Sequence, residues 1–162
     1  MATGTSRQRS RASRPGPRAG AGWMVVTGAG PGIMQAAMEG AGRDHSIGVQ
    51  IRLPFEQRAN HVIDGDSKYV AMKYFFTRKL MLIKESKGFV CLPGGFGTLD
   101  ETFELLTLTQ TGKGAPVPIV FLDTPGDPYW ETVHDFVEHQ LVQRGLVAPA
   151  DTGLYFVTDD CD

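Results

Sequence analysis

Pro93-Gly94-Gly95-Phe96-Gly97-Thr98-Leu99-Asp100-Glu101 follows directly after the apolar run Gly88-Phe89-Val90-Cys91-Leu92. A short apolar run that breaks into glycines and then opens onto apolar residues at helical spacing predicts a strand, a tight loop and a helix. Glycines allow the backbone to approach a bound group closely, and the loop can aim N–H donors at an anion such as phosphate. The segment therefore predicts a ligand-binding loop at the end of a strand in an open α/β sheet.

Two interpretations of Glu101 are open. Thr98 followed three residues later by Glu101 is a capping-box pattern, in which Thr98 begins the helix and Glu101 returns a hydrogen bond to its backbone. Asp100 and Glu101 would then lie in the first turn, where their negative charges interact favourably with the helix dipole but repel a phosphate bound at that end of the helix. Alternatively, Glu101 supplies a negative charge that takes part in a catalysed reaction.

The composition is that of one globular domain. Of the 162 residues, 41% are hydrophobic and 21% are charged, and the sequence has no apolar run long enough to span a membrane. Cys91 and Cys161 are the two cysteines, so we expect a cytoplasmic protein without a disulfide framework. Cys91 in a buried strand is expected to act as a small hydrophobe. The four histidines are scattered and predict no metal site.

The first 22 residues differ in composition from the remaining sequence. They hold five of the 16 basic residues and none of the 18 acidic ones, among Ser, Gly, Pro and Ala. This composition predicts a disordered extension, 1–22, followed by a single nucleotide-binding domain over 23–162. The second segment is strongly acidic, which argues against nucleic-acid binding.

Strands and helices are predicted to alternate along the domain. The alternation indicates a doubly wound, mostly parallel α/β sheet of the Rossmann-like class, with helices on both faces. The predicted strands are 24–26, 47–51, 88–92, 117–122 and 154–158, and the predicted helices are 33–41, 68–86, one after Thr98, and 129–144.

A second glycine loop, Thr27-Gly28-Ala29-Gly30-Pro31-Gly32-Ile33, follows the first predicted strand. It matches the dinucleotide fingerprint loosely, since Ile33 stands where that fingerprint needs glycine. The following helix has no acid in its first turn, so its N-terminus favours an anion.

These motifs resemble the LOG ("Lonely Guy") family, long misnamed lysine decarboxylases. The stretch Pro93–Glu101 looks like the family's PGGxGTxxE signature, and Arg78-Lys79 lies upstream as the family's Arg-Lys pair does. The resemblance runs from Trp23 to Thr158. Family members usually carry another strand and helix before the segment matching Trp23, so that unit is expected to be missing or atypical here. They also usually have glycine where Ala29 stands.

The resemblance implies a phosphoribohydrolase that cuts the N-glycosidic bond of a nucleoside 5′-monophosphate, a cytokinin ribotide or AMP. It implies catalytic roles for Arg78 and Glu101. The substrate-binding residues it implies are Gly30, Gly32, Lys79, Gly94, Gly95, Gly97 and Thr98. It implies no metal or organic cofactor, no nucleic-acid or membrane partner, and a homodimer.

Two alternatives stay open at this point. One is a nucleotide-binding module without turnover. The other is the old lysine decarboxylase label, which requires a lysine that carries pyridoxal phosphate as a Schiff base, and Lys79 is the candidate. The sequence leaves the choice between adenine and an N6-substituted adenine open.

Overall fold

The computed structural model describes residues 22–52 and 58–161. The chain divides into two compact units, Met1–Arg78 and Lys79–Asp162, and each contains its own parallel sheet. The predicted disordered extension lies outside the described residues except at its last position. The expectation of a single domain over 23–162 stays a prediction.

The sheet of the first unit has three parallel strands in chain order: β1, Val25–Thr27; β2, Ser46–Ile51; and β3, Tyr69–Met72. Helix α1, Ile33–Ala41, connects β1 to β2. It ends at Gly42, whose φ of 80° is open to glycine and rarely adopted by other residues. Strand β2 lies in the middle of the sheet and is buried at four of its six positions.

A small apolar cluster supports this sheet. Met38 of α1 and Ile63 are fully buried, and Ala29 and Val62 pack with them. The loop that follows β1 therefore lies against the hydrophobic core, and the core fixes its position.

The second unit repeats the pattern with β4, Phe89–Cys91; β5, Ile119–Leu122; and β6, Phe156–Thr158, again parallel and in chain order. Helix α3, Phe96–Gln110, connects β4 to β5, and helix α4, Tyr129–Phe136, follows β5.

Aromatic rings fill the core of the second unit. The ring of Phe121 on β5 stacks on Trp130 and on Tyr155, with both centroid distances at 4.4 Å. Leu105 of α3 and Ile119 complete the buried cluster. Stacked pairs of this kind stabilise a fold beyond the area that they bury.

Helix α2, Phe75–Glu85, is shorter than the sequence predicts. The prediction of a helix over 68–86 is wrong at its beginning. Tyr69–Met72 forms β3 instead and pairs with β2 through Gly48↔Tyr69 and Val49↔Val70. A short apolar run fits both the helical and the strand periodicity. Pairing with the neighbouring strand β2 makes this segment a strand.

Two further boundaries differ from the prediction. The last predicted helix is α-helical to Phe136 and continues as a π-helix over Val137–Val142. The last predicted strand begins at Phe156, because Pro149–Leu154 forms a 3-10 helix. The strand predicted at 117–122 begins at Ile119, as expected for a proline at its entry.

The predicted α/β Rossmann-like class is confirmed. Each unit has parallel strands joined by helices, and strand order within each sheet follows the chain, as in each half of a doubly wound sheet. Across 22–52 and 58–161, no helix is long and apolar enough to cross a membrane.

Candidate active site

The loop between β1 and α1 carries two of the predicted substrate-binding residues, Gly30 and Gly32. Gly32 begins α1 with a φ of 70°, and the first turn of α1 has no acidic residue, as predicted. Ala29 has a φ of 58° and is fully buried. Such a left-handed conformation costs a residue with a side chain about 1 to 2 kcal/mol. The loop therefore has a strained backbone that its surroundings hold in place.

Arg78, a predicted catalytic residue, lies against this loop. Its Nε donates a hydrogen bond of 2.9 Å to the carbonyl oxygen of Val49 on β2. A Cβ atom at Gly28 would lie 2.6 Å from Nη2 of Arg78, so the guanidinium in its present position needs the space that glycine leaves. The structure thus brings Arg78 and the first glycine loop together, as a site for an anionic substrate requires.

Met34 occupies the space beside the next glycine. A Cβ atom at Gly30 would lie 2.5 Å from Cε of Met34. Gly28 and Gly30 therefore leave space that the Arg78 and Met34 side chains occupy, whereas Gly32 is favoured by its backbone angle.

The loop between β4 and α3 carries Gly94 and Gly95, and the first turn of α3 carries Gly97 and Thr98, the other predicted phosphate-binding residues. The Thr98 side chain lies so close to Gly94 that no Cβ atom fits there, and the Tyr129 hydroxyl donates a 2.7 Å hydrogen bond to the Gly94 carbonyl oxygen. Cβ atoms at Gly95 and Gly97 would meet nothing within 4 Å. These two glycines leave the beginning of α3 open to a bound group.

The predicted capping box is wrong. Helix α3 begins at Phe96, with Gly95 in an extended conformation as its N-cap and no side-chain cap. The Gly95 carbonyl oxygen accepts hydrogen bonds from the backbone N–H groups of Thr98 and Leu99. Glu101 consequently lies in the second turn, and the first turn holds no acid. Glu101 does not cap the helix, and the predicted first-turn repulsion of a phosphate does not arise there.

Cys91, at the end of β4, is a free thiol. Burial raises its pKa, a hydrogen bond with Thr102 opposes the shift, and the charge of Glu101 raises the pKa further. A thiol with a raised pKa is a poor nucleophile at neutral pH, in agreement with its expected role as a small hydrophobe.

Comparison with known proteins identifies the family. A family model described as possible lysine decarboxylase matches residues 32–162. This chain belongs to that family, the LOG family. The resemblance predicted from the two glycine loops and the Arg-Lys pair is confirmed.

Curated relatives carry phosphoribohydrolase names. The chain is 33% identical over 118 residues to Arabidopsis thaliana LOG6, named a probable cytokinin riboside 5′-monophosphate phosphoribohydrolase, covering 73% of this chain and 55% of that protein. It is 31% identical to Arabidopsis thaliana LOG1, covering 73% of this chain and 52% of that protein, and 29% identical to Oryza sativa subsp. japonica LOGL9, covering 85% and 59%. The chain spans about half the length of the curated relatives it matches.

Lys79 does not fit the decarboxylase label of this LOG-family chain. Its Nζ lies 2.6 Å from Oδ2 of Asp100 and 3.0 Å from Oε2 of Glu104. Hydrogen bonds to these two carboxylates raise the pKa of Lys79, which keeps the amine protonated. A lysine that forms a Schiff base needs a lowered pKa. Lys79, whose amine is held by two carboxylates, therefore does not fit the lysine that would carry pyridoxal phosphate.

Two of the four histidines, His134 and His139, make structural contacts. Nδ1 of His134 lies 2.9 Å from the Tyr155 hydroxyl, and Nδ1 of His139 lies 2.8 Å from the Asp135 carbonyl oxygen. In the part of the chain that the structure describes, no group of three or more His, Cys, Asp or Glu side chains could hold a metal ion.

Sequence reasoning missed three side chains that shape the loops. Met34 packs on Gly30, Asn60 binds carbonyl groups of the first loop, and Tyr129 binds the second. The contacts of Asn60 and Tyr129 join segments distant in sequence, so no local pattern indicates them. The one available signal was the long irregular stretch 52–67, a loop length that is often functional.

Proposed function

We propose that this chain cleaves the N-glycosidic bond of a nucleoside 5′-monophosphate, AMP or a cytokinin ribotide, to give the free base and ribose 5-phosphate. The proposal goes beyond family membership, because the chain spans about half the length of the relatives whose names state this activity.

One observation carries the proposal. The Arg78 guanidinium is anchored by the Val49 carbonyl oxygen and lies in the space left open by Gly28. A positive charge fixed beside a glycine loop and the acid-free N-terminus of α1 suits an anionic substrate.

The reaction needs negative charge near the ribose, a site for the 5′-phosphate and a proton for the departing base. The C1′–N bond breaks and leaves an oxocarbenium-like ribose, water adds its oxygen to C1′, and the proton released from water goes to the departing base. Negative charge stabilises the ribosyl cation, as carboxylates do in glycoside hydrolysis. A donor-rich loop holds the 5′-phosphate.

The resemblance to the family's signature and Arg-Lys pair assigns residues of this chain to these roles. Glu101 stabilises the cation or activates water, and Arg78 holds or polarises the substrate. The phosphate-binding residues are Gly94, Gly95, Gly97 and Thr98, whereas Gly30 and Gly32 contribute to the nucleotide pocket. Lys79 is assigned to the substrate-binding group, and its two carboxylate contacts fix its amine within the second unit.

The test is a panel of nucleotides. Purified protein is incubated with AMP, an N6-isopentenyl AMP, GMP, CMP and UMP, and free base is measured by chromatography. We expect base from an adenine-containing monophosphate and none from adenosine, which lacks the phosphate. Adenosine is included in the panel, and Arg78→Ala serves as the control with strongly reduced activity.

Nucleotide binding by calorimetry without release of base would overturn the proposal. That result would instead select the binding module without turnover. The relative rates on AMP and on the N6-substituted nucleotide decide the base preference.

We also propose that the chain forms a homodimer. Helix α2 exposes four large apolar side chains, namely Phe75, Phe76, Leu80 and Met81. An exposed apolar cluster on one helix is typical of a protein interface. Sedimentation at micromolar concentration should give a dimer, and Phe76→Glu should give a monomer. A monomeric wild-type protein would contradict the proposal.

A further inference from the structure

Asn60 connects two parts of the first unit that are distant in sequence. It is buried, and its backbone N–H donates a 2.8 Å hydrogen bond to the Ala29 carbonyl oxygen. Its side-chain Nδ2 donates a 3.1 Å hydrogen bond to the carbonyl oxygen of Gly30. One residue therefore binds two successive carbonyl groups of the glycine loop.

The second end of the Asn60 side chain is also engaged. Oδ1 accepts a 3.1 Å hydrogen bond from the backbone N–H of Val62. A buried amide with both ends bound has a fixed orientation, because reversing it would place donors against donors and acceptors against acceptors.

These bonds determine which way the loop presents its donors. A trans peptide unit points its carbonyl group and its N–H group in opposite directions. Because the Ala29 carbonyl group points to Asn60, the N–H group of Gly30 points away from Asn60. The left-handed φ of Ala29 is part of the same arrangement, and alternating backbone angles of this kind form concave anion sites.

A different residue holds the turn that contains Asn60. Arg43 donates hydrogen bonds of 3.0 Å to the carbonyl oxygens of Val62 and Asp64, and its Nε contacts Asp66 at 2.9 Å. None of these bonds reaches the glycine loop. Arg43 thus supports the shape of the turn 60–66, whereas Asn60 hydrogen-bonds that turn to the glycine loop.

We propose that Asn60 is a positioning residue for nucleotide binding, which holds the loop by the Ala29 and Gly30 carbonyl groups so that the N–H group of Gly30 is presented to the anionic nucleotide. This inference rests on the proposed function. It assigns to Asn60 a role that acts through the loop and requires no contact with the nucleotide.

The experiment compares Asn60→Asp and Asn60→Ala with Arg43→Gln. Asn60→Asp keeps the acceptor for Val62 but loses the donor to Gly30 and places a carboxylate oxygen against its carbonyl group. We expect both Asn60 variants to raise KM for the nucleotide about tenfold or more, with kcat changed less than threefold. Arg43→Gln should lower the unfolding midpoint in urea and leave KM within twofold.

Hydrogen exchange in the nucleotide-free protein gives a second readout. The backbone amides of residues 28–30 and 32–34 should exchange at least tenfold faster in Asn60→Asp than in Arg43→Gln. Equal exchange in the two variants would overturn the inference, as would an unchanged KM.

The two proposals fail in different ways. If wild-type protein releases no base but exchange responds to Asn60 as expected, the phosphoribohydrolase proposal fails and the positioning role stands. If wild-type protein is active and neither KM nor exchange responds to Asn60, the positioning role fails and the activity stands.

Discussion

Arg78 reaches from helix α2 to strand β2, where its Nε donates a 2.9 Å hydrogen bond to the carbonyl oxygen of Val49. The bond fixes Nε of the guanidinium, and Nη2 lies beside Gly28. A planar, always-charged group held in this way can meet an anion in a defined orientation.

Arg78→Lys should lose most of the activity although the charge is kept. Lysine has no Nε–H to bind Val49 and cannot form a two-pronged contact with an anion. We expect kcat/KM to fall about 100-fold, close to the loss in Arg78→Ala. The free energy of unfolding should fall by about 1 kcal/mol, the usual value of one hydrogen bond.

Lys84→Ala provides the control, since Lys84 is an exposed basic residue on the same helix. It should leave kcat/KM within twofold. Full activity in Arg78→Lys would show that charge alone matters and that the bond to Val49 has no catalytic role.

Gly28→Ala should displace the Arg78 guanidinium. The new methyl group would lie 2.6 Å from Nη2 of Arg78, so the guanidinium must move. We expect at least a tenfold loss of kcat/KM, measured on the preferred nucleotide. In an Arg78→Ala background the same change should have little further effect, because both substitutions act on one contact.

Gly40→Ala is the matched control in the first unit. Gly40 lies inside α1, where an added Cβ meets nothing within 4 Å. Alanine there should stabilise the protein by about 0.5 to 1 kcal/mol through helix propensity, without changing activity. Additive losses in the Gly28 and Arg78 double variant would contradict the shared-contact explanation.

The sequence predicted helix α1 and strand β2 well because local signals agreed there. Gly32 and Gly42 lie at the two ends of a run of apolar residues at helical spacing. An apolar run that includes β-branched residues follows. Strand β3 was missed because Tyr69–Met72 is short and runs into the apolar pattern of α2. Only its pairing with β2 distinguishes the two, and that contact is not local.

In the candidate site, too, local sequence predicts some features, and contacts between distant segments determine the rest. Clustered glycines indicate both loops in the sequence, because several glycines after a strand are typical of a backbone that turns tightly or approaches a bound group closely. The side chains that hold the loops, Asn60 and Tyr129, come from segments about 30 residues away. Thr98 matched a capping box by spacing, but the extended backbone of Gly95 begins the helix three residues earlier.

Asp66 should make stability depend on pH in the acid range. A side-chain hydrogen bond and a backbone hydrogen bond from Lys68, with the charges of Lys68 and Arg43, lower the pKa of Asp66 from 3.8 to about 2. A lowered pKa in the folded state stabilises the fold above the unfolded value, and this contribution is lost as the pH falls from about 4 to 2.

Urea unfolding at a series of pH values measures this contribution. The stability difference between wild type and Asp66→Asn should be constant above about pH 5 and shrink towards pH 2. A difference that does not change with pH would show that the Asp66 charge contributes nothing to the fold.

The substitution Glu101→Gln separates a structural role of Glu101 from a catalytic one. Helix α3 begins at Phe96, so Glu101 lies beyond the capping positions and the substitution should leave the free energy of unfolding nearly unchanged. If its charge stabilises the ribosyl cation, turnover should fall about 100- to 1000-fold, as it does when one preorganised electrostatic partner is lost. KM should change much less than kcat, because the cation develops only in the transition state.

Asp135→Asn gives the matched control for Glu101→Gln, because it also removes one acidic charge from a helix of the second unit, at an exposed position. It should leave both turnover and unfolding unchanged. Steady-state rates of base release and urea unfolding are measured on the same preparations, so that a folding defect is recognised directly. A Glu101→Gln protein with more than about a third of wild-type turnover has lost less than about 1 kcal/mol of transition-state stabilisation, which is too little for a catalytic carboxylate.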